Sequence, residues 1–216
     1  MLTFAEELLL LGHDEKGGDF HDLPDMLFDA ALAGAVLMDL AIRDRIDTDL
    51  ERLIILDPAP TGEELLDYAF AALVRHPEIS TTADALDLLR KEGSVIEDKA
   101  VARLLERGIL RREASRILWV FETRRYPLID GKDLQEVKFR IAGLLFSDTI
   151  PDPRDIVIIG LAQACGLLER VFAPHELERC RERIEQIARL DLIGQATGAM
   201  LQELSSALTT MFVHYG

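Results

Sequence analysis

The alternation of hydrophobic and polar positions disappears most completely at Leu27–Ile46, LFDAALAGAVLMDLAIRDRI. No polar side chain occurs from Ala30 to Met38. A helix with this composition is apolar on every face, the pattern of a helix enclosed by others. Ala30, Ala31, Ala33, Gly34 and Ala35 are small enough for neighbouring helices to approach closely. Asp39 and Arg43, spaced i,i+4, are expected to return the helix to solvent. The run is too short to cross a bilayer, which takes about 20 apolar residues.

Shorter periodic segments surround this one. Thr3 and Glu6 have the spacing of a capping box, opening a helix that runs to Leu11. Arg52–Leu56 is a β-prone run, closed by Pro58 and Pro60. Thr61-Gly62-Glu63-Glu64 predicts a second capping box and a helix to Arg75, with Leu65, Leu66, Ala69 and Leu73 as its apolar stripe. Thr81 or Thr82 caps a helix carrying Ala85, Leu86, Leu88 and Leu89, which Gly93 is expected to end. Ile96, Ala100, Leu104 and Leu105 mark the inner face of the next helix, closed at Gly108. Ile109–Arg112 and Arg116–Phe121 read as the strands of a hairpin. Beyond it the pattern predicts a helix over Leu134–Phe146 and a linker with Pro153 in a first helical turn. A second buried helix over Ile156–Leu168, a polar helix from Pro174 and a final amphipathic helix over Thr197–Val213 complete the chain. No repeat or long linker interrupts it. The expected architecture is mainly α: a single globular helical domain over residues 1–216 around a buried central helix, with a small protruding β-hairpin.

Composition agrees with a real core, since 49% of the 216 residues are hydrophobic. Glu6 and Glu7 stand where an export signal carries Lys or Arg, and Cys165 and Cys180 have no motif around them. Both features read as a cytoplasmic chain with reduced thiols. The net charge of −15 argues against nucleic acid and works against anionic lipid at long range. That charge is uneven. Residues 1–60 hold 14 Asp and Glu against 4 Lys and Arg, whereas residues 99–125 hold 8 Lys and Arg against 3 Asp and Glu. The two segments either neutralise one another or leave a basic face for an anion or a partner.

Catalytic chemistry is not legible. Gly17-Gly18 lacks the setting of a phosphate loop, and Ser205-Ser206 lie inside a helical pattern. Glu6-Glu7 and Glu63-Glu64 fall in first helical turns, where the helix dipole accounts for them. His13-Asp14 and His21-Asp22 read as exposed loop residues rather than metal ligands, and His175 with Cys180 as surface and core. No catalytic residue, metal site or cofactor is assigned, and the chain reads as a non-enzyme. Lys99, Arg103 and Arg107 repeat at i,i+4 on one helix face, with Arg111 and Arg112 just beyond. These five are the candidate lipid- or anion-binding residues. Trp119 and Phe121, with Arg124 and Arg125, are the candidate anchors of a hairpin that binds a partner or a second copy of the chain. Residues 95–127 also look like the second half of a winged helix with Arg111, Arg112, Arg124 and Arg125 near the wing. The missing helix-turn-helix partner and the acidic charge count against that reading.

Five segments occur in an order that resembles the Golgi phosphoprotein 3 family, which includes a yeast vacuolar-sorting counterpart and bacterial relatives. They are Leu2–Leu10, Ala30–Ala35 with Leu40–Ile46, Pro60–Asp67, Leu104–Leu110 and Arg125–Pro127. Short loops and the lack of a long N-terminal tail make the chain look like a bacterial member. The resemblance implies a helical domain around a buried central helix. It also implies a peripheral membrane adaptor that binds phosphatidylinositol 4-phosphate and the tails of glycosyltransferases, with some members self-associating through the hairpin. The family's lipid site uses a tryptophan before the central helix, an arginine near its start and two arginines ahead of Leu-Leu-Glu-Arg-Gly. This chain has Phe20 or Pro24, Ala33, Ser94 and Glu97 in those neighbourhoods. The resemblance therefore implies a divergent or lost phosphoinositide site, or one shifted onto Lys99, Arg103 and Arg107.

Overall fold

The computed structural model describes residues 1–14, 20, 25–48, 52–117, 121–190 and 199. These are mainly helical. The elements, in chain order, are α1 (Phe4–Leu11), α2 (Asp25–Ile42), β1 (Ile46–Thr48), β2 (Leu53–Ile55), α3 (Glu64–Arg75), α4 (Thr82–Arg90), α5 (Gly93–Glu106), β3 (Glu113–Ile117), β4 (Phe121–Arg125), α6 (Lys132–Leu145), α7 (Pro153–Ala164), α8 (Leu168–Val171) and α9 (Pro174–Ala188).

Helix α2 is central, packed by α1, α3, α4, α5 and α7. Every residue from Ala30 to Leu40 is buried. Each enclosed Leu or Val contributes about 1.5–3 kcal/mol, so packing alone holds the helix without an amphipathic stripe. It ends four residues earlier than the sequence pattern suggests. Asp44, in the left-handed region at φ 54°, reverses the chain. Ile46 then opens a small antiparallel sheet in which it faces Ile55, a second hairpin that the pattern did not announce. Asp39 does not return the helix to solvent. It is buried and accepts the Phe4 N–H at 2.7 Å, serving an orphan donor in the first turn of α1.

Helix α1 is buried on all sides, including both glutamates. Its predicted capping box is present: Thr3 Oγ1 accepts the Glu6 N–H at 3.2 Å, and Glu6 Oε2 accepts the Thr3 N–H at 2.6 Å. The box predicted at Thr61 is not formed. Asp67, inside α3, accepts instead from the Thr61 N–H at 2.6 Å, the Thr61 hydroxyl at 2.7 Å and the Gly62 N–H at 3.2 Å, so the loop is clamped from the helix side. Thr81 caps α4 as expected. Gly93 does not end that helix but begins α5. Its backbone lies so close to Asp29 that a Cβ there would meet Asp29 Oδ1 at 2.1 Å, which makes the missing side chain a packing requirement.

The hairpin strands are shifted along the chain. Glu113 faces Arg125 and Ile117 faces Phe121, with residues 118–120 outside the described part. Ile109–Arg112, predicted as a strand, forms the root of this arm. Ile109 and Leu110 are buried, Leu110 bridges to Leu128, and the Arg111 N–H donates to Pro127 O at 3.0 Å. The apolar run Ile156–Leu168 is two helices, because Gly166 turns the chain at φ +69° between α7 and α8. Pro153 occupies the first turn of α7 behind the Asp152 cap. Cys165 and Cys180 are buried free thiols, and Cys165 is pushed up to about 12 by burial. The predicted helix over Thr197–Val213 falls outside the described residues, apart from Ala199.

Candidate functional site: the two halves of helix α5

The C-terminal half of α5 carries the three cations on one face, and each meets a carboxylate. Lys99 Nζ lies 2.5 Å from Glu64 Oε1 and 5.2 Å from the centre of the Tyr68 ring. Arg103 Nε donates to Glu6 Oε1 at 3.1 Å, and its terminal nitrogen pairs with Glu63. Arg107 donates to the Met1 carbonyl at 2.9 Å and stands 3.8 Å from Glu6 Oε2. The acidic partners come from two places: Glu6 from the interior, and Glu63 and Glu64 from the start of α3. Much of the segment's positive charge is thus neutralised within the chain, but of these acids Glu6 alone comes from the acidic segment 1–60; Glu63 and Glu64 lie beyond it.

Glu6 and Glu7 do more than oppose a helix dipole. Glu7 lies between Arg140 of α6 at 2.5 Å and Arg154 of α7 at 2.8 Å. Arg140 Nε also reaches Asp155 at 3.0 Å. Arg154 donates to the Leu2 carbonyl at 2.5 Å, approaches Asp39 at 4.0 Å and lies 4.3 Å over the Phe4 ring. Two adjacent glutamates therefore collect arginines from α5, α6 and α7. Arg140 and Arg154 were missed by sequence reasoning because their partners lie over 130 residues away. The only local clue was a glutamate pair inside an otherwise apolar segment.

The N-terminal half of α5 is the opposite. Glu97 feels Asp25 and Asp29 from the start of α2 as well as its neighbour Asp98, which is exposed. Burial first, then Asp29, Asp98 and Asp25, raises the Glu97 carboxyl above its ordinary value. Asp29 is raised by burial and by Asp25, with Arg90 acting against both. This is where the resemblance expects arginines, near residues 94 and 97 and at the start of the central helix. Four carboxylates gather there instead, and an anionic head group entering the notch meets like charge.

The other sequence candidates are dispersed. Arg111 pairs with Glu113 at 2.8 Å on the hairpin arm, both exposed, and Arg112 beside it is exposed. Arg124 faces Ala114 and Arg125 faces Glu113 across the ladder, and Phe121 faces Ile117. Trp119 lies outside the described residues. His13 is not an exposed loop residue. It is buried, with Nε2 2.8 Å from the Tyr126 carbonyl and its ring edge-on to Phe20, so it locks the start of the chain to the arm's root. His21 and Asp22 lie outside the described residues. Among the described residues no three His, Cys, Asp or Glu side chains are grouped to hold a metal. A groove of about 510 Å³ between α7 and α9 has Phe172, Leu177 and Ile184 in its wall, with Glu169, Glu178 and Glu185 outnumbering Arg181, which pairs with Glu178. Among the described residues no helix is long and apolar enough to cross a membrane.

The family model described as Golgi phosphoprotein 3 (GPP34) matches residues 4–204. The chain belongs to the Golgi phosphoprotein 3 family. Vacuolar protein sorting-associated protein 74 of Eremothecium gossypii is 28% identical over 213 aligned positions, covering 82% of this chain. The chain spans 63% of that relative's length.

Proposed function

We propose that this member of the Golgi phosphoprotein 3 family is a non-enzymatic, cytoplasmic adaptor that associates peripherally with anionic membranes. Its contact surface is the α5 face of Lys99, Arg103 and Arg107, widened by Arg111 and Arg112. The observation that carries this reading is the alignment of Lys99, Arg103 and Arg107 on one helical face, which begins directly after Glu97 and the carboxylates that act on it. A doubly charged head group needs several cations to offset its desolvation, and the region around Glu97 sets Arg90 against the carboxylates of Asp25, Asp29 and Asp98. Recognition is therefore by charge, and a phosphoinositide has no advantage over other anionic lipids of equal charge density. Sedimentation with neutral, generic anionic and phosphatidylinositol 4-phosphate vesicles at two salt concentrations tests this. We expect salt-sensitive binding to both anionic sets. Binding restricted to the phosphoinositide would refute the divergent site, and no binding to either would refute membrane contact.

A second reading makes the hairpin arm an assembly element. The register favours it, because the last described pair, Ile117 with Phe121, leads directly into Leu118-Trp119-Val120. Light scattering of Trp119→Ala should then show a lower mass than the parent chain, and an unchanged mass rejects this interface.

A further inference from the structure

The same three cations carry an inference about how such a surface is controlled, which rests on the reading of α5 as the membrane contact. Their carboxylate partners are not equivalent. Glu6 is wholly buried and held by Thr3 as well as by Arg103, so it is a fixed part of the core. Glu63 and Glu64 have side chains 30% and 83% exposed, and they stand in the first turn of α3, on a different element from the cations they meet. They are delivered there by the Thr61–Gly62 turn that Asp67 clamps. Lys99 remains 25% exposed beneath Glu64 and Arg103 18% exposed beneath Glu63.

We propose that Glu63 and Glu64 are intramolecular counter-anions that close the α5 cationic face, and that an anionic lipid surface binds by displacing them. The energetics suit an exchange rather than a permanent lock. Ion pairs with one partner open to solvent contribute little, so a surface offering several anions at once can replace two of them. The buried pair of Arg103 with Glu6 survives the exchange and keeps the cation aimed outward. Displacement leaves Lys99 and the outer nitrogens of Arg103 and Arg107 facing the lipid. It also removes two negative charges from the contact face of a chain whose net charge of −15 otherwise resists approach.

The test compares the full chain with Glu63→Gln/Glu64→Gln in flotation with vesicles of phosphatidylcholine containing phosphatidylserine. Glu178→Gln/Glu182→Gln on α9 is the control for net charge. The closed-face model expects the α3 double variant to bind about fivefold more tightly than the parent, with the α9 variant close to the parent. Adding Lys99→Gln to the α3 variant should return binding toward the parent's. Equal gains in the α3 and α9 variants overturn the model, since total charge would then account for both. Parent binding with no gain in the α3 variant overturns the gate while leaving the membrane reading intact. Absence of binding in both overturns gate and reading together, and binding by the α3 variant alone supports the gate.

Discussion

Helix α5 presents two charged regions built on opposite rules. In its second half every cation of the predicted face has an acid within reach, and the deepest acid, Glu6, is buried beneath Arg103. In its first half Glu97 feels Asp25, Asp29 and Asp98, and burial together with like charge raises both Glu97 and Asp29. The first arrangement ties α5 to α1 and α3, and the second sets like charges against one another between α5 and α2. A charge's contribution to the fold therefore depends on what the other elements bring to it, and ways of disturbing each region should differ in sign.

The largest effect is expected where pairing is deepest. Arg154 is 16% exposed and binds Glu7 and the Leu2 carbonyl while covering Phe4. Arg154→Ala leaves Glu7 with only Arg140, and breaking one side of a buried pair destabilises by about 3 kcal/mol. Urea unfolding measures this. A loss below about 1 kcal/mol would place the layer with surface ion pairs. Glu7→Gln combined with Arg154→Met should be less harmful than Arg154→Ala, since Glu7 is then no longer a buried charge that has lost one of its arginines.

Asp39 belongs to the paired region but is uncomfortable in it. Burial raises it to about 6, with the Phe4 N–H, Arg154 and Arg43 acting against burial and Glu7 adding to it. Between the ordinary value of 3.8 and about 6 the folded chain holds a proton that the unfolded chain has released. That stabilising contribution is fully present below 3.8 and is lost as pH rises through about 6. Asp39→Asn keeps an acceptor for Phe4 and does not titrate. Its stability relative to the parent should therefore rise across this window, by an amount on the order of 2 kcal/mol. Parallel pH profiles for the two proteins would show that Asp39 is not responsible.

At the start of α5, inside the opposed region, lies Gly93, whose missing Cβ makes room for Asp29. Gly93→Ala forces that side chain away and should cost about 1–2 kcal/mol. Asp29→Ala should remove most of the penalty in a double-mutant cycle. Additive effects would locate the strain in the backbone instead.

How far these regions were legible beforehand follows from the range of the forces involved. The central helix, the Thr3 and Thr81 caps and the i,i+4 cations are local patterns, and they fold as read. What escaped depends on distant partners. Asp39 looks like the edge of a solvent-facing turn until Phe4 is placed above it. Glu6 and Glu7 look like dipole partners until Arg103, Arg140 and Arg154 arrive from three later helices. The strand shift at the hairpin has the same origin, because Ile109 and Leu110 are β-prone but are claimed by the core. At the candidate site, the spacing placed Lys99, Arg103 and Arg107 on one face. It said nothing of Glu63 and Glu64, which lie in sequence 35 or more residues away from Lys99 and Arg103.

The smallest effect tests the opposed region and should carry the opposite sign. Glu97 is half-buried among Asp25, Asp29 and Asp98, so Glu97→Gln removes repulsion and a burial penalty without removing volume. Because the site is partly open to solvent, the gain is about half a kcal/mol at neutral pH. It should shrink as the pH is lowered from neutral, because the parent's Glu97 takes up a proton above the ordinary glutamate value and the two proteins then become electrostatically alike. The raised value requires this sign, since a carboxyl that prefers its neutral form in the fold stabilises the chain only while protonated. A loss of stability at neutral pH would instead mean that Glu97 has a favourable partner. The notch would then belong with the paired half of α5, and the contrast between the two halves would fail.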